Sequence, residues 1–244
     1  MTDQEEVRPA PASRHRPVVL TIFLVLAIAT IYLVRQIMIA TAQGRATQIA
    51  LQKSASVEYD YYFENGDPHG QRLPGARPPS PAFLRQNVVG LMTSGPKWRD
   101  SDLALLNDMP YLVKLELNSN PNIGDSGMVN VGSCPRLRSL TVLALPLVTD
   151  AGLAQLGHLT SLRELDIEQM HITDAGVLPL LALKNLESLG LSGTRITDSS
   201  LQKLRSLPRL KRLNIRQTQV TARGVNELRR SCPGLEIDAG RLAK

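Results

Sequence analysis

The feature that most constrains the fold of this chain is a phrase that returns at a fixed interval. Units opening LVKLEL at Leu112, LRSLTV at Leu137, LRELDI at Leu162, LESLGL at Leu186 and LKRLNI at Leu210 are spaced 25, 25, 24 and 24 residues apart. A period in this range means stacked copies of one supersecondary unit, none of which buries its apolar side alone. Each unit reads LxxLxL, then four or five polar or small residues, then I/V-T-D-x-G-L-xx-L-xx-L. The alternating leucines of LxL suit a short strand with its leucines turned inward. The later leucines, three apart, suit one face of a short helix. The expected fold is an α/β solenoid, with short parallel strands on the concave face and short helices on the convex face.

Both ends of the array are degenerate. VVGL at 88–91 with WRDSDLALL at 98–106 reads as a first unit, Trp98 taking the place of the isoleucine that precedes each aspartate. LEI at 235–237 reads as a last strand without a helix. Atypical end units are what a stacked array needs to close itself. The core is expected to be aliphatic, since only 4% of the residues are aromatic and four of the nine sit together in YDYYF, Tyr59 to Phe63.

At 244 residues the chain holds one well-buried domain and an anchor or tail, but not two large domains. Residues 1–16, polar and proline-containing, read as a disordered tail. Residues 18–34, VVLTIFLVLAIATIYLV, carry no charge, and IMIA after Arg35 extends them toward the roughly 20 residues a membrane-spanning helix needs. We read 17–40 as a transmembrane helix, preceding the solenoid as a single-pass signal anchor. The competing reading is a cleavable signal peptide, since ATA at 40–42 suits a small-x-small cleavage site, although the apolar stretch is long for one. Arg8, Arg14 and Arg16 before the span balance Arg35, Arg45 and Lys53 after it, so positive charge does not orient it. A short tail followed by one span favours a repeat domain outside the cytoplasm, at the cell membrane.

Residues 41–87 are expected to hold a juxtamembrane helix, a short strand and a proline-rich cap or linker. QGRATQIALQKSA continues a helical pattern, and SVEYDYY alternates Val57, Tyr59 and Tyr61 against Glu58, Asp60 and Tyr62, the period of a strand. Pro68, Pro74, Pro78, Pro79 and Pro81 then break any regular element, as in a long covering loop. The leucine-rich-repeat domain follows over 88–244.

With ITDAGL at the strand-to-helix turn, the repeat resembles the cysteine-containing class of leucine-rich repeats. The whole resembles the short, membrane-anchored bacterial leucine-rich-repeat proteins that planctomycetes carry in numbers. The counterparts here are VEYDY at 57–61, FLR at 83–85, the tandem repeats and CPGLEI at 232–237. The chain departs from that pattern in LALPLVTD, with Leu145 and Pro146 in the turn, and in VTARG, where Ala222 replaces the aspartate. The resemblance implies an architecture, an anchor and a binding role, and no catalytic residues.

Asp100, Asp125, Asp150, Asp174 and Asp198 hold one position in successive units, just before each helix. Threonine or aspartate there accepts hydrogen bonds from the free N–H groups of the first helical turn, at about 0.5–2 kcal/mol each. No histidine or second carboxylate recurs in phase with them, as a metal or acid–base row would require. Cys134 and Cys232 occupy positions filled elsewhere by Leu159, Leu183 and Leu207, so both are expected to be buried structural thiols. Four units apart at roughly 5 Å per strand, they lie beyond disulfide reach. The histidines match no metal or catalytic spacing, and neither GxSxG nor a phosphate loop is present. No enzyme activity, cofactor, metal, nucleic acid or small-molecule substrate is expected.

Recognition is where the repeats are free to vary. The residues flanking the inward leucines point to the concave face: Lys114, Glu116 and Asn118, then Ser139, Thr141 and Leu143, and from there Glu164, Asp166 and Glu168 in the middle, Ser188, Gly190 and Ser192, and Arg212, Asn214 and Arg216 at the end. The last three units are an acidic stripe, a small-residue unit and a terminal basic stripe. We expect a non-enzymatic protein-interaction module using Glu164, Asp166, Glu168, Ser188, Ser192, Arg212, Asn214 and Arg216 against an unidentified protein ligand. The alternative is a structural, envelope-organising protein whose basic C-terminal end touches anionic lipid or polymer. That end is strongly basic: residues 203–244 hold 11 basic and 3 acidic side chains, against 11 and 16 over residues 55–202.

Overall fold

The computed structural model describes residues 16–59 and 87–241. The expected disordered tail and proline-rich cap fall almost wholly outside these residues, as do the FLR segment and the end of VEYDY. The chain divides into two compact units, Met1–Ile39 and Ala40–Lys244.

Helix α1, Arg16–Gln52, runs for 37 residues without a break. In the first unit it is apolar on every side, with Val25, Leu26, Ile28, Ile31, Leu33 and Val34 all exposed. A helix apolar all round is at home in a protein interior or in lipid. Its stretch from Val25 is long and apolar enough to cross a membrane. The Thr30 hydroxyl donates to the Leu26 carbonyl at 2.8 Å, so this polar group is satisfied within the helix.

In the second unit the end of α1 changes character. Gln43, Ala46, Thr47 and Ala50 are buried at a three- and four-residue spacing, and the two alanines belong to the same apolar core as the repeats. Lys53, just past the helix, donates to Asp102 at 2.9 Å and to the Lys97 carbonyl at 3.0 Å. Strand β1, Ser56–Tyr59, then runs antiparallel to β2, Val88–Ser94. The expected alternation holds: Val57 packs against the core and Glu58 turns the other way. The leading edge of the sheet is thus covered by a strand of opposite direction.

Beyond it the solenoid follows the period. One sheet of eight strands keeps sequence order, with β3 Lys114–Asn118, β4 Ser139–Leu143, β5 Glu164–Glu168, β6 Ser188–Gly190, β7 Arg212–Asn214 and β8 Glu236–Asp238, all parallel from β2 onward. The return segments are a 3-10 helix at Asp100–Asp108 and short helices α2 Asp125–Gly132, α3 Asp150–Ala154, α4 Asp174–Leu180, α5 Asp198–Leu204 and α6 Ala222–Ser231. The leucine rows lie between the layers. Leu115, Leu140, Leu165, Leu189 and Leu213 are each at most 1% exposed, and each buried leucine contributes about 1.5–3 kcal/mol. Trp98 is fully buried in the first unit.

Each turn leaving a strand passes through the left-handed region, at Ser119, Ala144, Gln169, Gly193 and Gln217, with φ between 52° and 70°. Only one of these is glycine, so four repeats accept a cost of about 1–2 kcal/mol per residue to redirect the chain inward. The next residue is driven into the interior: Asn120, Leu145, Met170 and Thr194 are all at most 3% exposed. This accounts for the LALP departure. Leu145 meets the same burial with apolar surface, whereas Thr194 satisfies its hydroxyl on the Leu191 carbonyl at 2.6 Å.

Candidate functional site

The parallel register fixes which outward side chains stand side by side. One row across the concave face reads Gly90, Lys114, Ser139, Glu164, Ser188, Arg212, Glu236; the next reads Met92, Glu116, Thr141, Asp166, Gly190, Asn214, Asp238. In the first row, charges of alternating sign sit on every second strand from β3 to β7, and serines fill the strands between. Long side chains lean across the small ones. Arg212 reaches over β6 to place its guanidinium 3.8 Å from Glu164, and donates to the Ser188 hydroxyl at 3.4 Å. Asn214 spans the same gap and donates to Glu168 at 3.1 Å.

The result is a trough of about 390 Å³ centred on β6. Its floor is Ser188, Leu189 and Gly190, one wall is Glu164 and Asp166, and the other is Arg212 and Asn214 with Glu236 and Asp238 beyond. Of the expected residues, Glu164, Asp166, Ser188, Arg212 and Asn214 line it directly. Glu168 joins through Asn214, while Arg216 turns away to Asp238 at 2.7 Å, and Ser192 lies outside the lining.

One feature of the face departs from expectation. It does not end in a basic stripe, because β8 adds Glu236 and Asp238 beyond it, and Arg212 of β7 and Arg216 just after it already lie near carboxylates. Sequence reasoning passed over these acids because LEI resembles only a closing strand; extending the LxL register one unit further would have found them. The N-terminal part of the face is also charged, with Lys114 and Glu116 paired at 2.8 Å. Lys114 is pushed up from its usual value, first by that hydrogen bond and more weakly by the nearby Glu58 and Glu164.

Asp166 is the most unusual group in the trough. Its carboxylate bends over Gly190, where any β-carbon would collide with its Oδ1. That oxygen is buried and has no hydrogen-bond partner among the described residues. Burial raises the Asp166 pKa, against a weaker opposing effect of its hydrogen bond with Glu168. Glu168 is raised as well, by burial and then by the charge of Asp166.

The recurring aspartates do something other than expected. Helices α3, α4 and α5 are capped by Thr149, Thr173 and Thr197, whose hydroxyls accept from the N–H two residues on at 3.2 Å. The neighbouring aspartate does not cap its own helix; it reaches forward to the next repeat. Asp125 takes the Thr149 N–H and hydroxyl, both at 2.7 Å, and Asp174 takes those of Thr197 at 2.9 and 2.6 Å. Asp198 does the same for Thr221, and Asp100 accepts from the Gly124 N–H at 2.7 Å. The ladder staples each unit to its successor.

It also explains the glycine of TDxG. A β-carbon at Gly127 would stand 2.6 Å from the Asp100 carboxylate, and Gly152, Gly176 and Gly224 are crowded in the same way by Asp125, Asp150 and Asp198. The glycine makes room for the preceding aspartate instead of tightening its own turn. Where serine replaces it, Ser200 donates its hydroxyl to Asp174. Ala222 breaks the row in α6, which no further helix follows among the described residues. The aspartates are construction, and their hydrogen-bond partners among the described residues lie within the array.

Both cysteines are free thiols. Cys134 is buried, as expected, and burial pushes its thiol up to about 12. Cys232 departs from expectation in being only half-buried, since the last strand leaves that end of the core thinly covered. Among the described residues no cluster of three or more His, Cys, Asp or Glu side chains is placed to hold a metal ion.

The family described as Leucine Rich repeat matches residues 108–132 and 158–181, two units of the array. No curated protein matches the chain in sequence. Among solved structures, an internalin C2 from Listeria monocytogenes is similar at 20% identity, covering 65% of this chain and 73% of that one, with a TM-score of 0.42. An internalin, InlF, from the same organism is similar at 18% identity, covering 62% of this chain and 54% of that one, with a TM-score of 0.39. The present chain matches only about half the length of the latter.

Proposed function

We propose that this leucine-rich-repeat chain is a membrane-anchored, non-enzymatic interaction module that holds a protein partner against the concave face of its sheet. The observation that carries this reading is the trough over β6. Strands locked by backbone pairing and by the aspartate ladder present side chains at fixed spacing, so a partner binds without first ordering the surface, which saves affinity. The apolar, exposed run of α1 supports the anchor, and display outside the cytoplasm is part of the same proposal. The resemblance to planctomycete-type anchored proteins with ITDAGL repeats points the same way.

A photo-crosslinking amino acid at Ser188, against one at Gln202 on the convex helix α5, tests the reading in membranes of the native host. A discrete crosslinked product from Ser188 alone is expected; equal products from both positions overturn it. The alternative, adhesion of the basic C-terminal end to anionic lipid or polymer, is weakened by how that charge is disposed. Lys211, Arg212, Arg216 and Arg223 all lie within 4 Å of carboxylates, on Glu187, Glu164, Asp238 and Glu227.

A further inference from the structure

We infer that the concave face selects a cationic partner, an extended segment presenting a lysine or arginine side chain to Asp166 and Glu168 above the floor of β6. This rests on the concave-face reading above and adds the chemistry of the occupant. The outward positions of β3–β7 carry two cations and the turn after β7 a third, and each is already taken: Lys114 by Glu116 at 2.8 Å, Arg212 by the more distant Glu164 at 3.8 Å, and Arg216 by Asp238 at 2.7 Å. Asp166 and Glu168 are left with no ion pair among the described residues, and so is Glu236 at the far end of the face. The unspent charge is all negative.

Geometry adds to the charge count. The Asp166 Oδ1 is buried without a donor, a state that costs free energy until one arrives. Ser188, on the floor of the trough, leaves room for a donor to approach the carboxylate from outside. A cation there would also offset the burial that disfavours the ionised form of both carboxyls. The whole chain carries a net charge of +6, so attraction of a cation is a local property of this face and not of the molecule.

The test uses the full chain in non-ionic detergent and two dye-labelled probe peptides, one of alternating lysine and serine and one of alternating glutamate and serine. Fluorescence anisotropy is read at about 50 mM salt, where such contacts are least screened. The lysine peptide is expected to bind, and Asp166→Asn with Glu168→Gln to weaken it by roughly tenfold, the scale of a lost charge-assisted contact. Asp108→Asn with Glu227→Gln removes the same charge away from the face and should change binding by less than about twofold. Arg212→Ala, which releases Glu164, should tighten it. Equal loss in the two double variants, preference for the glutamate peptide, or weakening by Arg212→Ala overturns the inference. If the Ser188 crosslink forms while the lysine peptide fails, the concave-face reading stands and its cationic chemistry falls.

Discussion

Asp150 holds Thr173 of the following repeat with both oxygens, one accepting from the backbone N–H at 2.9 Å and the other from the hydroxyl at 2.5 Å. The same threonine caps its own helix through Ala175, so a single carboxylate orients the group that starts the next helix. Stability in a stacked array is the sum of unit and interface terms, and this contact belongs to the interface.

Asp150→Ala should therefore destabilise the fold by about 1–3 kcal/mol, the cost of leaving a buried N–H and a misdirected cap. Ala222→Asp places the same residue where no helix follows, and should gain no more than the roughly 0.3–1 kcal/mol of a carboxylate at a helix N-terminus. Thermal unfolding followed by circular dichroism checks the pair. Equal and opposite effects at the two positions would mean that the aspartate acts on its own helix.

At Gly176 the prediction concerns two small side chains. Gly176→Ala drives a methyl group into the Asp150 carboxylate and should cost about 1–3 kcal/mol. Gly176→Ser brings a hydroxyl to the same place, as Ser200 does for Asp174, and should be the milder change of the two. Melting temperatures in the order glycine, serine, alanine are expected.

The repeat, its strands and its caps were legible because leucines at fixed spacing record burial directly. The aspartate was legible as a row but not in its action, since the local rule for helix starts assigns it a partner in its own first turn. Its actual partner lies about two dozen residues on, where only stacking brings it near. The same blindness applied to Arg212 and Glu164: alignment of repeats places them two strands apart, and nothing in it reveals that an arginine leans over a serine to close the gap. Trp98 and the C-terminal strand were placed correctly because they keep the phase of the repeat.

Carboxylates in the two settings should respond to acid in opposite senses. Burial works to raise the Asp174 pKa, but hydrogen bonds from Ser200 and Thr197 outweigh it and leave it lowered. Its contribution is present above the ordinary aspartate value of 3.8 and is lost as pH falls through its depressed folded value. Asp166 is raised, so its folded form prefers the proton and its charge is a penalty above its folded value. Asp166→Asn should raise the melting temperature at pH 7 and lose that advantage near pH 3. A variant that binds cations worse yet melts later would be a trade of stability for recognition.

The thiols offer a test of packing at the two ends. Held by burial at a pKa of about 12, Cys134 should stay unmodified by a maleimide at pH 7.5 while the half-buried Cys232 reacts. One label by mass spectrometry in the native state and two in denaturant are expected.

The antiparallel β1 gives the array a direction of growth. A strand running against its neighbours does not continue the parallel register, so β1 closes the edge ahead of β2 to another unit of the same kind. Within the array no such bar exists, because every aspartate addresses only the unit that follows. A tandem duplication of residues 150–173 would carry its own acceptor and find a threonine waiting on its far side. Such an insertion would lengthen the sheet by about 5 Å and widen the recognition face while leaving both ends untouched.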